Sequence, residues 1–511
     1  MEKRIIHWFA SLLSVSAVCS AEAQTTDELL QLATHEVQST ARYSGMGGAF
    51  NALGGDIGAL STNPAGIGTY RSSEFTVTPS LILNNTVTDF RRESLSADRT
   101  RFGVPSLGYV ATMLKKDGES GGLVSFSLGI GFNKVANFYK HTAFRGFDSP
   151  NSVVDQFRDY AGRNNLNPAY LERNFSEILP EDWSTAMAFN SKMIGYEDGK
   201  YHANGLEAGD KVNIDGSYWQ SGGTDEYTIS FGGNIANKFQ FGATIGIQDL
   251  LYSSEIKYGE QYVEGNKGAY TSSHRTEFTK TTGFGMNLKA GIIYRPVNAL
   301  RLGFALHSPT LFSMERSYDV YMKSEYWNEE TKKNDFRDES SPQDKYEYRL
   351  TTPYRVEIGL AYVMGKIGLI SIDYELAGNS AMHMYDNLDS KDYLSARNKA
   401  IGNKYRASSN VRAGAEINLP YGIMLRGGYS YYQSPYKDSS LDYARHAYSG
   451  GIGFRSNSFF FDLAYVLARS NRYFAPYYVN DYRVIDADNS PDIAREKLNV
   501  GRIIATIGFK F

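Results

Sequence analysis

From Ser73 onward, apolar and polar residues alternate with a period of two in many separate segments of the chain. In the last segment, every second residue from Ile503 to Phe511 is apolar, and the positions between them include Thr506 and Lys510. Successive side chains of a β-strand point to opposite faces, so this pattern predicts strands with one apolar and one polar face. In a transmembrane barrel the apolar face meets lipid and the polar face lines a wet lumen.

The spacing of these segments predicts fourteen strands. Short connections, such as those at 237–238 and 456–457, alternate with long ones, such as 323–345, 387–403 and 474–496. Short periplasmic turns alternate with longer extracellular loops in outer-membrane barrels. We therefore expect an all-β fold, a 14-stranded antiparallel transmembrane β-barrel with both ends on the periplasmic side. The predicted strands start near residues 73, 103, 121, 224, 239, 275, 299, 347, 366, 404, 421, 445, 458 and 498.

Composition adds constraints on function. The chain has 511 residues, with 53 lysines and arginines against 56 aspartates and glutamates, and its net charge of −3 excludes a strongly basic nucleic-acid-binding surface. It contains 38 tyrosines but only 4 tryptophans, together with 49 glycines and 14 prolines. This composition suits a large barrel with aromatic girdles at both membrane interfaces. Composition alone would favour a tyrosine-rich soluble β-protein.

The N-terminus predicts export. A charged segment and an apolar run, which end at a small-residue cleavage site before Gln24, make residues 1–23 a predicted signal peptide. The alternative is a lipoprotein modified at Cys19, the only cysteine of the chain. No later segment reaches about 18 consecutive apolar residues, so no transmembrane helix is predicted. An integral membrane protein without such helices must be a barrel. We therefore expect the outer membrane of a Gram-negative bacterium, with lipid and lipopolysaccharide around the chain.

The terminal residue Phe511 closes a strand of alternating polarity. A terminal aromatic residue on such a strand resembles the signal that outer-membrane barrel assembly machinery reads. A soluble edge strand can show the same pattern, but it rarely coincides with the last residue of an exported chain. We therefore expect the barrel assembly machinery to be a partner of the C-terminal strand.

Charged residues recur on the polar faces of the predicted strands. On a lipid-facing surface an arginine would cost about 2–4 kcal/mol and a carboxylate somewhat less, so we expect these side chains to point into the lumen. Two roles are open for them: mutual pairing that stabilises the lumen, and a polar track for a solute. The candidates are Arg355, Glu357, Asp373, Glu375, Arg412, Glu416, Arg426 and Asp462.

Residues 24–72 do not alternate, and they are rich in glycine between Ala41 and Tyr70. The glycine density is too high for a stable helix interior. Such a segment suits a compact, turn-rich plug that packs closely against a wall. Because it precedes the first strand at the periplasmic end, we expect 24–72 to be an N-terminal hatch in the lumen of a barrel formed by 73–511.

The hatch segment resembles that of a known family. The run from Ser44 to Phe50, followed by Asp56 and by 63–67, is similar to the hatch of the FadL-type long-chain fatty acid transporter family. That family also includes importers of aromatic hydrocarbons, and its barrel has fourteen strands. The resemblance continues along the chain and is strongest in motifs over about 41–138. The matching hatch residues are Ser44, Gly45, Gly47, Gly48, Asn63, Pro64, Ala65 and Gly66.

The resemblance implies a mechanism and a monomer. Hydrophobic compounds, long-chain fatty acids above all, would enter by passive diffusion from the extracellular loops to a site near the hatch. They would leave sideways into the membrane through a gap at a kink in the third strand, which the 63–65 motif would abut. Glycines inside a strand mark bends, and a one-residue bulge without a gap is the alternative. The kink is expected within Gly129, Ile130, Gly131, Phe132 and Asn133.

A long loop at about 139–223 carries apolar residues at helical spacing, so a helical insertion is predicted there. The family places its ligand-capture helices in this loop, and exposed aromatic side chains beside an opening would form a hydrophobic groove. The alternative is that the same side chains form the small core of the loop itself. The candidate capture residues are Phe157, Trp183, Met187, Phe189 and Met193.

Other functions have less support. The seven histidines after the signal peptide are scattered and show neither nucleophile nor metal spacing, so no enzyme, metal site or cofactor is expected. Uptake of haem or another amphipathic ligand is an alternative, because the many tyrosines could supply an axial ligand. A surface barrel that acts as an adhesin or antigen is a third interpretation, but it leaves the hatch motifs unexplained.

Overall fold

Fourteen antiparallel strands form one closed barrel, as the alternation predicts. The structure is a computed structural model that describes residues 26–115, 122–207, 209–263, 269–385, 391–476 and 493–511. The predicted signal peptide lies outside the described residues. The barrel closes where the last strand pairs with the first, from Glu74 with Lys510 to Asp89 with Arg495.

Most strands are continuous, and four of them consist of two segments. The strands are β1 (Glu74–Phe90), β2 (Glu93–Leu114), β3 (Leu123–Asn137 and Lys140–Ser149), β4 (Val212–Ile235), β5 (Phe239–Tyr262), β6 (Tyr270–Val297), β7 (Leu300–His307 and Leu311–Asn328), β8 (Asp344–Thr351 and Arg355–Val363), β9 (Gly368–Ala377 and His383–Tyr385), β10 (Ser408–Asn418), β11 (Ile423–Tyr432), β12 (Arg445–Arg455), β13 (Phe459–Phe474) and β14 (Ala494–Lys510).

The connections alternate between the two ends of the barrel. Short turns lie at the end where β1 begins, which is the periplasmic end of such a barrel. They span 236–238, 298–299, 364–367, 419–422 and 456–458. The opposite, extracellular end carries the long connections 150–211, 329–343, 386–407 and 433–444.

The connection between β1 and β2 departs from this alternation. It is a two-residue turn at Arg91 and Arg92, whose φ values of 43° and 68° are those of a type I′ hairpin. β2 therefore begins at Glu93, well before the predicted start near 103. Its outward residues in this part, such as Ser94 and Asp98, are polar. The hairpin extends beyond the apolar band, so hydrophobic alternation could not reveal it.

The two faces of the wall differ in chemistry, and β6 shows this most clearly. Phe284, Met286 and Leu288 point outward and are 56, 48 and 62% exposed. Asn287 and Lys289 alternate with them and are buried inside the barrel. An apolar exterior around a polar interior is the pattern of a transmembrane barrel.

The hatch fills the lumen. It contains helices α1 (Thr26–Leu32) and α2 (Ala41–Gly45) and the 3₁₀ turns Ile57–Ser61 and Pro64–Thr69. Both turns are capped by side chains: Asp56 accepts from the N–H of Gly58, and Asn63 accepts from the N–H of Ala65. Nearly every residue from 41 to 70 is buried.

The long extracellular connections contain the other helices. The 150–211 connection holds α3 (Val153–Arg163), α4 (Pro168–Leu171), α5 (Trp183–Asn190) and a small hairpin (Ile194–Glu197 and Lys200–Ala203). It is shorter than the predicted insertion at 139–223, because β3 and β4 extend into both ends of that range. The 386–407 connection holds α6 (Lys391–Lys404), and an added strand (Lys333–Ser340) pairs with β7. Among the described residues, no helix is both long and apolar enough to cross a membrane.

Candidate functional site at the seam between β2 and β3

The ladder between β2 and β3 ends inside the wall of the barrel. It runs from Leu114 paired with Ser125 to Ser106 paired with Asn133, and the described residues show no β2–β3 backbone pair beyond it. Among the described strands, β2 pairs only with β1 on the extracellular side of that rung, and β3 pairs only with β4, on its other edge. Pro105 is the next β2 residue on the extracellular side of this rung, and it has no backbone N–H to donate. We call the boundary between 93–105 and 134–141 the seam.

A bulge in β3 marks the start of the seam. The register between β3 and β4 shifts between Lys134 and Ala136, which leaves Val135 as the extra residue. A bulge bends its strand and locally disrupts the ladder. The hatch takes the place of β2 at this point, since Glu36 N–H donates to Val135 C=O at 2.6 Å and Gln38 N–H donates to Lys134 C=O at 2.7 Å.

The break in register lies two residues beyond the predicted kink. Residues 125–134 of β3 keep a regular register with β4, so the glycines within Gly129–Asn133 do not form a bulge. They serve a different purpose, close approach of the hatch. A Cβ atom on Gly129 would lie 2.9 Å from Ile67 and 3.2 Å from Leu60. The glycines therefore let the hatch pack directly on the β3 backbone.

A buried hydrogen-bond network joins the hatch to the last rung of the β2–β3 ladder. Ser106 Oγ donates to Asn133 Oδ1 at 2.8 Å, and Asn133 Nδ2 donates to Ser61 Oγ at 3.0 Å. Ser39 Oγ lies 3.3 Å from Ser106 Oγ. All four side chains are fully buried. Asn133, one of the predicted kink residues, thus contacts β2 and the hatch at once.

Side chains close the seam where the backbone ladder is missing. The Arg99 guanidinium of β2 lies 3.5 Å from the ring centroid of Tyr139. The same group donates to the carbonyl oxygens of Lys140 at 3.2 Å and Gln220 at 2.5 Å. Thr86 Oγ1 donates to the carbonyl oxygen of His141 at 2.7 Å. These contacts can break by side-chain rotation, without loss of the strand pairing on either side.

The Asn63–Ala65 motif lies away from the seam. Asn63 Nδ2 donates to the carbonyl oxygens of Asn51 at 2.7 Å and Ile292 at 3.2 Å, and thereby joins the hatch to β6. Pro64 begins the 3₁₀ turn that this side chain caps. The expectation that this motif abuts the third-strand kink is therefore not met, because the hatch presents Leu60 and Ile67 to β3 instead.

The wall opposite the Asn63–Ala65 motif has glycines at the points of contact. A Cβ atom on Gly291 would lie 1.9 Å from Asn63 Oδ1, and one on Gly242 would lie 2.3 Å from Pro64 O. Within the hatch, a Cβ atom on Gly66 would lie 2.7 Å from Ala59 Cβ. On this side, the hatch therefore packs directly against the backbone of β5 and β6.

The first hatch motif, from Ser44 to Gly48, lies against β11, β12 and β13. Gly47 has a φ of 63°, which L side chains rarely adopt, and its carbonyl oxygen accepts from Ser430 Oγ at 2.8 Å. Ser449 Oγ donates to Gly45 C=O at 3.1 Å. Gly48 also has a positive φ, of 74°. The predicted hatch glycines thus provide turns and close approach.

All eight predicted lumen charges are buried inside the barrel and form two clusters. In the first, Arg412 lies between Glu357 at 2.9 Å and Glu375 at 3.1 Å, and Arg355 is 4.0 Å from Glu375. In the second cluster, Arg426 lies 2.6 Å from both Glu416 and Asp462. Buried charges require such partners, because an unpaired charge is strongly disfavoured in a low-dielectric interior.

Both clusters also hold the hatch. Glu416 accepts from Arg42 of α2 at 3.0 Å, and Asp373 accepts from the backbone N–H of Asn51 at 2.8 Å. A polar track would need charges free to meet a solute. These charges instead meet each other and the hatch, which favours the structural role.

Several charged residues that join the hatch and the wall were not among the sequence candidates. Lys289 forms a buried pair with Glu226 at 2.5 Å, and its Nζ donates to Ser61 C=O at 3.0 Å. Lys289 lies on the polar face of an alternating strand, the same signal that identified the other lumen charges. Glu36 lies in the hatch, where alternation gives no signal.

Glu36 joins the seam to β12 and β14. Its carboxylate pairs with Arg445 of β12 and with Arg502 of β14, the latter at 3.2 Å. Burial alone would raise the pKa of Glu36, but the two guanidinium groups outweigh burial and lower this pKa to about 2. The backbone of the same residue bonds to Val135, so one residue links β3, β12 and β14.

An apolar cluster fills the lumen next to the seam. Leu29 and Leu32 of α1 are completely buried in it, and Ala136 and Phe138 of β3 belong to it. Glu28 of α1 also lies here, with its Oε2 3.4 Å from the guanidinium of Arg316. The other buried members are Ala33, Leu250, Tyr252, Phe312, Met314, Tyr348, Leu350, Met382, Met384, Ile401 and Tyr405. We call these residues the luminal cluster.

The predicted capture residues lie inside the extracellular insertion and not on an open groove. Phe157, Met187 and Met193 are buried in one hydrophobic cluster, and Trp183 is buried in another. Phe189 packs against both. The structure therefore supports the alternative interpretation, in which these side chains form the core of the loop.

Comparison with known proteins shows the fold. No protein-family model and no curated protein matches the chain. The solved structure of a Pseudomonas aeruginosa FadL homologue has 13% identity and a TM-score of 0.53, and covers 94% of this chain and 99% of its own. The toluene transporter TodX of Pseudomonas putida has 13% identity and a TM-score of 0.51, with coverage of 92% and 98%. The chain has the fold of these outer-membrane barrels.

Proposed function

We propose that this chain, which shares the fold of FadL-type barrels, takes up hydrophobic compounds across the outer membrane and releases them sideways through the seam. Long-chain fatty acids are the cargo that the luminal residues favour. The observation that carries the proposal is the position of the seam. The β2–β3 ladder ends at Ser106 and Asn133, beside Ala136 and Phe138 of the luminal cluster.

Sideways release suits hydrophobic cargo. Each methylene group that moves from water into lipid contributes about 0.8 kcal/mol. A long alkyl chain therefore gains far more from entering the membrane than from crossing a watery pore. No coupling to an energy source is required, because the free energy of transfer drives the last step.

The packing of the hatch argues against an open pore for polar solutes. The hatch is held by the charge pairs Arg42–Glu416 and Glu36–Arg502 and by the bond of Asn51 to Asp373. Breaking one buried pair of this kind costs about 3–5 kcal/mol. A polar solute would have to displace several such contacts together, whereas the contacts of the seam are few.

The luminal cluster favours a cargo with a carboxylate head. In the structure, α1 places Leu29 and Leu32 among apolar side chains and presents the Glu28 carboxylate to Arg316 at 3.4 Å. A fatty acid has the same two parts, an apolar chain and a carboxylate. We infer that cargo displaces α1 from the luminal cluster and takes over its contact with Arg316. A neutral hydrocarbon would use the apolar contacts alone.

A binding experiment separates the cargo classes. Replacement of Arg316 by Gln is expected to weaken oleate binding to the purified barrel at least tenfold, because the carboxylate loses its cation, and to leave toluene binding unchanged. The matched control is Arg337→Gln, on the exposed Lys333–Ser340 strand, which should change neither affinity. Equal oleate affinity in wild type and Arg316→Gln would contradict the fatty-acid assignment. Binding of neither oleate nor toluene would contradict hydrophobic uptake itself.

A further inference from the structure

A cavity lies at the periplasmic mouth of the barrel, far from the seam. It has a volume of about 270 Å³ and lies between the hatch and the short turns. Four arginines line it, Arg42, Arg71, Arg295 and Arg301. Within the described residues no aspartate or glutamate lines it. We call it the mouth cavity.

Among the described residues, only one of the four arginines has a carboxylate partner. Arg42 pairs with Glu416 at 3.0 Å. Arg71 donates to neutral oxygens, those of Asn237 at 2.8 Å and Ser125 at 3.1 Å. In the described part of the chain, Arg71, Arg295 and Arg301 form no ion pair, so three positive charges converge without compensation. A cleft lined by charges of one sign concentrates counter-ions.

Donor groups are also left over at this site. The Nε atoms of Arg295 and Arg301 are buried and have no hydrogen-bond partner among the residues that the structure describes. Arg301 uses one terminal nitrogen, which donates to Leu53 C=O at 3.0 Å. A buried donor without an acceptor costs about 1–3 kcal/mol, more when it is charged. An acceptor-rich anion in the mouth cavity would satisfy these donors.

We propose that the mouth cavity binds a phosphate group, either free in the periplasm or as part of a lipid headgroup. The planar guanidinium fork matches the spacing of phosphate and carboxylate oxygens. Three uncompensated cations favour free phosphate or a phosphomonoester headgroup, with a charge of about −1.5 to −2, over a carboxylate with a single charge. The volume fits such a group and is too small for a whole lipid, since pockets for drug-sized ligands start at about 300 Å³. This site goes beyond the proposed uptake and does not depend on it.

Titration calorimetry of the full-length protein in detergent tests the proposal. Inorganic phosphate, titrated at constant ionic strength set with chloride, should bind the wild type, and acetate should bind at least tenfold more weakly. The double variant Arg295→Gln/Arg301→Gln should lose at least tenfold in phosphate affinity. The matched control, Arg337→Gln, removes one charge at the extracellular end and should bind phosphate like the wild type.

The source of the phosphate is decided in parallel by mass spectrometry of phospholipid retained through purification. Retained phospholipid that is lost in the double variant assigns the site to a headgroup, and phosphate binding in the calorimeter assigns it to the free ion. The change in gel mobility on heating shows whether each variant is folded. Arg71→Gln, which changes an exposed position, is the second variant. The proposal would be overturned if phosphate released no binding heat and no retained lipid depended on the variant. Unchanged binding in the double variant, or acetate that binds as tightly as phosphate, would also overturn it.

Discussion

The backbone N–H of Glu36 donates to the carbonyl oxygen of Val135 at 2.6 Å, at the residue where β3 departs from β2. The hatch thus occupies the strand edge that the seam leaves open. A strand edge with unpaired backbone groups inside a membrane would cost several kcal/mol per group. The hatch and the seam are therefore structurally coupled, and a change in either is expected to affect the other.

Asn133 is the first test of this coupling. In Asn133→Leu, the buried hydroxyls of Ser61 and Ser106 lose their amide partner, at a cost of about 1–3 kcal/mol. We expect faster hydrogen exchange of the hatch amides at 36–38, measured by mass spectrometry, with the barrel still folded. The matched control Asn410→Leu removes a luminal amide that bonds to Glu375 on the far wall. Equal exchange at 36–38 in the two variants would contradict the coupling.

Arg99 tests whether side chains hold the seam closed. Arg99→Ala removes the stacking on Tyr139 and the bonds to Lys140 and Gln220, which together contribute roughly 2–3 kcal/mol. An easier opening should raise the initial rate of oleate uptake by cells several-fold. Arg145→Ala, at an exposed position of β3, serves as the control. A rate no higher than that of wild type would show that the Arg99 contacts do not limit release.

Glu36 predicts a pH dependence of hatch docking. Its pKa is lowered from 4.5 to about 2, a difference of about 3 kcal/mol in favour of the docked, ionised state. Because the folded pKa is depressed, this contribution is fully present above pH 4.5 and is lost as the pH falls toward 2. In Glu36→Gln the hatch should exchange faster than in wild type above pH 4.5, and the difference should shrink as the pH falls. A difference that does not change with pH would contradict the role of the carboxylate.

α1 is expected to compete with cargo. Leu29→Ala combined with Leu32→Ala removes buried contacts worth about 2–5 kcal/mol each and weakens the hold of α1 on the luminal cluster. Oleate should then bind more tightly than to wild type, as measured by fluorescence displacement. Leu171→Ala, a buried position in the extracellular insertion, is the control and should leave the affinity unchanged. Weaker binding in the α1 variant would mean that α1 supports the cargo site.

The barrel could be predicted from the sequence because its strands follow from a local pattern, the alternation of apolar and polar residues. A period of two fixes which residues face lipid, so the inward position of Arg426 and Asp462 follows from alternation and from the cost of a charge in lipid. The glycine-rich segment likewise predicts a plug, because Gly47 and Gly48 adopt a conformation that few other residues tolerate.

The seam could not be predicted because it depends on distant partners. The bulge at Val135 reflects the register of β3 against β4 and against the hatch, which no local pattern encodes. Glu36 pairs with Arg445 and Arg502, which lie 409 and 466 residues further along the sequence. The apolar residues of the insertion, such as Trp183 and Met187, show helical spacing in either a groove or a core, so only the tertiary structure distinguishes the two.

A reversible tether between the hatch and the β3 edge of the seam tests the central claim most directly. Gln38 and Lys134 lie opposite each other in an antiparallel bridge, so a Gln38→Cys/Lys134→Cys pair can form a disulfide that fixes the hatch to the edge of β3. Lys134→Cys alone controls for loss of the lysine. An Arg469→Cys/Asn499→Cys pair controls for a tether in a regular ladder, that of β13 and β14.

The measurement is oleate uptake by cells that express each folded variant, before and after reduction. Release through the seam predicts that the oxidised Gln38–Lys134 tether abolishes uptake, that a reductant restores it, and that the control tether has no effect. Uptake that is the same with the tether oxidised and reduced would contradict lateral release between β2 and β3.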